Sequence, residues 1–126
     1  MDDAKNANGK KAAQKELTAS ERIRRTKRFK QLKACLVDQL ERSGNDKAHF
    51  LDLVNDYMEM YVTKEQCIAD ISERGVSIKS TGSAGQEIIK KNESVDLLIR
   101  TNAQMIKLLD KLGISADGEA TEDEAF

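Results

Sequence analysis

The chain has 126 residues, of which 34% are charged and 4% aromatic, with no proline and a formal net charge of −1. That length holds one domain with tails, and the composition favours long, solvent-laced helices over a compact aromatic core. There is no hydrophobic signal segment and no apolar run long enough to span a bilayer, so a cytosolic protein with Cys35 and Cys67 reduced is expected.

Residues 1–17 are small, polar and lysine-rich, with Gly9 in their middle, and read as a disordered basic arm. Thr18-Ala19-Ser20-Glu21 fits a capping box that opens a helix. Ile23, Phe29, Leu32, Leu36 and Leu40 supply its apolar stripe, and Ser43-Gly44 should stop it, because glycine takes a left-handed C-cap at little cost. Asn45 or Asp46 is expected to cap a longer second helix. On it Phe50, Val54, Tyr57, Tyr61, Ile68 and Ile71 share a face, with Leu53, Met58 and Cys67 beside it. Gly75 ends that helix, and the short link makes the first two helices an antiparallel hairpin. Asp56, Glu59 and Glu65 fall on or near its outer face and are expected to be solvated.

From Val76 the alternation Val-Ser-Ile-Lys-Ser-Thr permits a short strand or an extended arm, and Gly82 and Gly85 then break regular structure. A third helix is expected from near Asn92 to Gly113. Val95, Leu98, Asn102, Met105, Leu109 and Leu112 step along it by three and four residues. This is a heptad seam with one polar member, a pattern that packs helix on helix and in which a buried asparagine sets register and partner number. The spacing alone fits packing within one chain as well as between copies. Residues 116–126 form an acidic tail, read as disordered.

Charge is unevenly spread. Lys5, Lys10, Lys11, Lys15, Arg22, Arg24, Arg25, Lys27, Arg28, Lys30 and Lys33 crowd the front, opposed only by Asp2, Asp3, Glu16 and Glu21. The tail carries Asp117, Glu119, Glu122, Asp123 and Glu124. A basic front and an acidic end point to two different partners, one of them polyanionic. Lys10, Lys11, Lys15, Arg22, Arg24, Arg25, Lys27, Arg28, Lys30 and Lys33 are the candidate contacts to a nucleic-acid backbone; the competing reading is a solvated helix face. Scarce aromatic residues favour duplex over single-stranded nucleic acid.

Catalytic chemistry finds no support. Cys35, His49 and Cys67 are too scattered for a metal site, and His49 reads as a partly exposed residue in a first helical turn. Gly82-Ser83-Ala84-Gly85 with Lys90-Lys91 lacks the Gly-Lys-Ser/Thr ending of a phosphate loop. No catalytic residue, metal or cofactor is expected, and no paired acids sit in a setting that would tune them.

From Glu73 to Ser115 the chain resembles the phage terminase small subunit family. The resemblance rests on Arg74-Gly75-Val76 at a helix end, Thr81-Gly82 with a second glycine in the loop, Lys90-Lys91-Asn92 before a helix, and the closing Leu112-Gly113-Ile114-Ser115. Relatives often carry His-Pro where this chain has Asn92-Glu93, and Thr-Pro with an arginine where it has Ser115-Ala116-Asp117. The resemblance implies a non-enzymatic partner of a packaging motor. Such a protein forms a homo-oligomeric ring, binds viral double-stranded DNA near the packaging start site, and presents it to the large terminase subunit, which owns the ATPase and nuclease. It would act in the host bacterial cytoplasm and be absent from the mature virion. The heptad positions would then be packing or assembly residues.

The resulting expectation is an all-α protomer: a long antiparallel helical hairpin, an extended segment and a C-terminal heptad helix. It spans residues 18–115 between the basic arm and the acidic tail. Two rival readings stand beside it, a dimeric or tetrameric DNA-binding regulator with a C-terminal coiled coil, and a helical adaptor that binds no DNA.

Overall fold

The structure is a computed structural model that describes residues 16–45 and 47–114. Lys10, Lys11, Lys15 and the acidic tail lie outside the described residues. In chain order the elements are α1 (Ala19–Arg24), α2 (Lys27–Arg42), α3 (Ala48–Arg74), β1 (Ser77–Thr81), β2 (Glu87–Lys91) and α4 (Glu93–Lys111).

The first expected helix is broken in two. Thr26 is extended, with φ −69° and ψ 150°, and cannot continue α1. Its Oγ1 accepts the Phe29 N–H at 3.2 Å and donates to the Ile23 carbonyl at 2.7 Å. One hydroxyl thereby closes α1 and opens α2, meeting the unpaired groups at both helix ends. Thr18 caps α1, accepting the Glu21 N–H at 3.2 Å.

α2 ends where expected. Gly44 has φ +77°, and the Asn45 N–H reaches back to the Leu40 carbonyl at 2.8 Å while the Gly44 N–H reaches Glu41 at 3.1 Å. This is the paired bonding of a Schellman cap. Asn45 is therefore spent on closing α2. The cap position of α3 falls to Lys47, which makes no side-chain cap bond, and Asp46 lies outside the described residues.

α3 is the central element; α1, α2 and α4 all pack on it. Leu36 and Leu40 of α2, Val54, Met58 and Tyr61 of α3, and Met105 and Leu112 of α4 form the core. Phe29 leans on Tyr61 with ring centroids 6.1 Å apart. Burying side chains such as Leu40 and Val54 completely stabilises the fold by about 1.5–3 kcal/mol each. Of the expected apolar face of α3, Ile68 is exposed and stands outside this core; of the two cysteines, Cys67 is buried and Cys35 exposed.

The segment after Gly75 corrects the all-α expectation. β1 and β2 pair antiparallel in the register Ile78↔Lys90, Lys79↔Ile89 and Ser80↔Ile88. Ser83, Ala84 and Gly85 make the turn, with the Gly85 N–H on the Gly82 carbonyl at 3.0 Å and the Gly82 N–H on the Gln86 carbonyl at 2.7 Å. Gly85, at φ +82°, supplies the left-handed residue this turn requires. All of β2 is exposed, so the ribbon stands away from the helices.

A buried hub holds the ribbon's base. Asn92 is 0% exposed and uses its whole side chain. Its Oδ1 accepts from the Ser94 N–H at 2.9 Å, capping α4, and from Arg74 at 3.3 Å. Its Nδ2 donates to Asp70 at 3.1 Å and to the Gly75 carbonyl at 2.9 Å. Asp70 also receives the Ser94 hydroxyl at 2.6 Å and both guanidinium contacts of Arg74, at 2.6 and 2.7 Å. The hydrogen bonds from Arg74, then Ser94 and Asn92, hold the Asp70 carboxyl well below the usual carboxylate range. The end of α3 and the start of α4 are thus locked together with the hairpin between them.

Candidate nucleic-acid and assembly surfaces

The corner at Thr26 redistributes the basic cluster. Arg22 and Arg24 belong to α1, Lys27, Arg28, Lys30 and Lys33 to α2, and Arg25 stands between. Arg24 is drawn inward to an ion pair with Glu59 of α3. Glu59 is thereby engaged rather than simply solvated. Arg28 and Glu65 both act on the Tyr61 hydroxyl; burial first, then Glu65, push that phenol above its ordinary value, with Arg28 opposing. Arg22, Arg25, Lys27, Lys30 and Lys33 are exposed and, among the described residues, in no ion pair.

Two apolar surfaces border this cluster. Ala19, Ile23, Thr26, Tyr61 and Ala69 line a groove of about 450 Å³ between α1 and α3, rimmed by Arg22, Arg28 and Glu65. Lys30 and Lys33 edge a shallower surface that Phe29 and Val37 share with Asp38 and Glu41. Among the described residues, the cations of the corner itself that are in no ion pair include Arg25, Lys27, Lys30 and Lys33, with Arg22 beside the groove. Lys27, Lys30 and Lys33 succeed one another at about one helical turn, a spacing of roughly 5 Å along the axis. A row of that kind neutralises phosphates without reading bases.

On α4 the heptad residues turn toward the chain's own helices. Met105 and Leu112 are buried, while Val95, Leu98, Asn102 and Leu109 are half-buried. The Asn102 Oδ1 accepts from Lys64 of α3 at 3.2 Å. Part of the seam that suggested a coiled coil between copies, Met105, Leu109 and Leu112 with Asn102, is engaged within the same chain. Thr101, which the heptad reading passed over, is buried on the same face.

Among the described residues the exposed large hydrophobic ones include Ile68, Val76, Ile88, Ile89, Leu97, Ile99 and Ile106. They fall on the end of α3, the hairpin and α4, and none on α1 or α2. His49 is exposed and stacks on Phe50 with ring centroids 4.4 Å apart. Among the described residues no cluster of His, Cys, Asp or Glu is placed to hold a metal ion, and no helix is long and apolar enough to cross a membrane.

The motif residues of the sequence meet in space. Arg74, Gly75 and Asn92 are members of one hub, and the Asn92 N–H bonds the Val76 carbonyl at 2.9 Å. Leu112-Gly113-Ile114 closes α4 with a second Schellman cap: Gly113 has φ +72°, and the Ile114 N–H bonds the Leu109 carbonyl at 2.9 Å. Residues 33–121 match the family model described as phage terminase, small subunit. That span covers most of α2 through α4 and leaves out α1 and, apart from Lys33, the basic corner. No curated protein and no solved structure was found to match the chain.

Proposed function

Since the chain belongs to the phage terminase small subunit family, we propose that it binds viral double-stranded DNA near the packaging start site and recruits and regulates the large terminase subunit. In this reading the chain assembles as a homo-oligomeric ring in the host bacterial cytoplasm and is absent from the mature virion. It performs no chemistry itself; the large subunit contributes the ATPase and nuclease. The basic arm with Lys10, Lys11 and Lys15 extends the DNA contact, and the acidic tail at 116–126 offers a separate docking segment.

The observation that carries the DNA assignment is the set Arg25, Lys27, Lys30 and Lys33, exposed around a capped helix corner with no carboxylate partner among the described residues. If these four each neutralise one phosphate, log K falls against log salt with a slope of about −3.6, or about 150-fold between 50 and 200 mM. Reversing all four to glutamate should remove that salt-dependent share of the affinity, read by fluorescence anisotropy on a labelled duplex, with helical circular dichroism unchanged. Binding of unaltered strength and salt slope would remove the corner from the DNA interface. Co-purification of the full chain with the large subunit, with and without residues 116–126, tests the second docking segment.

The rival regulator with a C-terminal coiled coil is less well supported, because Met105, Leu109 and Leu112 of the seam pack into the same chain's core and Asn102 accepts from Lys64 of α3. In this reading ring assembly draws on the surface that packing within the chain leaves exposed.

A further inference from the structure

α4 carries two overlapping heptad stripes. The first, ending on Met105 and Leu112, faces the core. The second runs Val95, Ile99, Asn102, Ile106 and Leu109, in steps of four and three, so it too is a seam that fits against another helix. Its two outward members have no cover: Ile99 is 63% exposed and Ile106 59%. Exposed Ala103 lies between them, leaving a narrow apolar ridge.

The groove between α1 and α3 is the matching recess, walled by Ala19, Ile23, Tyr61 and Ala69. α1 and α4 each pack on α3 and form no packed pair with one another, so ridge and groove belong to separate parts of the surface. Both carry mixed charge, Arg100, Lys107 and Asp110 beside the ridge and Arg22, Arg28 and Glu65 on the groove rim, and one opposite pair stands at the end of each. Asp110, one turn beyond Ile106, is exposed and in no ion pair; Arg22, on the groove rim, is likewise exposed and in no ion pair among the described residues.

We infer that the α4 ridge of one copy seats in the α1–α3 groove of the next, with Asp110 facing Arg22 across the contact. This rests on the ring reading above and names its interface. A patch that fits a different patch on an identical neighbour makes a head-to-tail contact, and repetition of that contact closes a ring when the rotation allows. It also separates duties within the cluster: Arg22 serves assembly, while Arg25, Lys27, Lys30 and Lys33 remain available to DNA.

The test is native mass spectrometry of the full chain and two variants, with circular dichroism confirming helix content. The double variant Ile99→Lys with Ile106→Lys spoils the ridge and places cations against Arg22. Ala69→Arg fills the groove from an exposed position on α3. Each variant alone should be monomeric, whereas the unmodified chain is a single large assembly. An equimolar mixture of the two should form a heterodimer, because one intact ridge meets one intact groove. A large assembly surviving in either variant overturns the inference and leaves the ring reading standing. An unmodified chain that is itself monomeric overturns the ring reading and this interface with it. Monomeric variants that do not pair when mixed show that ridge and groove do not meet each other.

Discussion

Asn92 is the residue whose replacement reports most directly on how the helical body and the hairpin are joined. Its amide makes four hydrogen bonds, two accepted and two donated, at zero exposure. Asn92→Ala removes the N-cap of α4, which costs about 1 kcal/mol. It also takes the donor from the Gly75 carbonyl, and leaving such a group unpaired costs about 1–3 kcal/mol. The expected loss is about 2–4 kcal/mol. With a urea m-value of about 1.5 kcal/mol/M, the unfolding midpoint should fall by roughly 1.3–2.7 M. Protein concentration must be held fixed, since self-association adds to apparent stability. Asn92→Asp sharpens the test. It keeps an acceptor for the Ser94 N–H, but puts an oxygen where Nδ2 stood, 3.1 Å from Asp70 and 2.9 Å from the Gly75 carbonyl. Asn92→Asp should therefore be more damaging than Asn92→Ala at neutral pH, and should recover as acid protonates one carboxyl of the pair. A loss below about 0.5 kcal/mol for Asn92→Ala, or a neutral Asn92→Asp, would refute the hub as the joint.

The Asp70 carboxyl is held below its ordinary 3.8, so its contribution to stability is complete above that pH and drains away as pH falls further. Asp70→Asn should flatten the acid limb of the stability–pH curve below 3.8 while lowering the neutral plateau, both followed by urea unfolding. Leu40→Ala, at a fully buried core position, should cost about 2–5 kcal/mol in the same assay. Thr26→Ala should cost about 1 kcal/mol through lost capping, and Thr26→Ser, which keeps the hydroxyl, should cost much less.

The helix stops were legible because glycine does one physical job in each. Gly44 and Gly113 adopt positive φ and let the next N–H turn back onto the helix. The corner at Thr26 was less visible, since threonine is tolerated within helices; the available sign was the six-residue gap between Ile23 and Phe29, too wide for a helical stripe. β2 escaped because Ile88 and Ile89 are adjacent and both exposed, which defeats the alternation that reveals a half-buried strand. The heptad on α4 announced a partner helix but not its owner. Likewise, Arg24 reads as one cation among many until the fold brings Glu59 beside it. Asn92 is recognisable as a cap from its place before an apolar run. Its burial depends on Asp70, and no local pattern announces a partner that distant in sequence.

Apart from the exposed Lys91–Asp96 ion pair at 2.8 Å, the hairpin joins the rest of the chain through a base no wider than Val76 and Asn92, with every bond of the hub on the helix side of that pair or at it. Its length is thereby uncoupled from the architecture beneath it. Residues added in matched pairs across Ser80 and Ile88 would lengthen the ribbon while keeping each side chain on its own face, because the pleat repeats every two residues. The segment behaves as an interchangeable fitting on a fixed socket. Among related chains, this is where divergence in size should gather while Asp70, Arg74 and Asn92 hold their geometry.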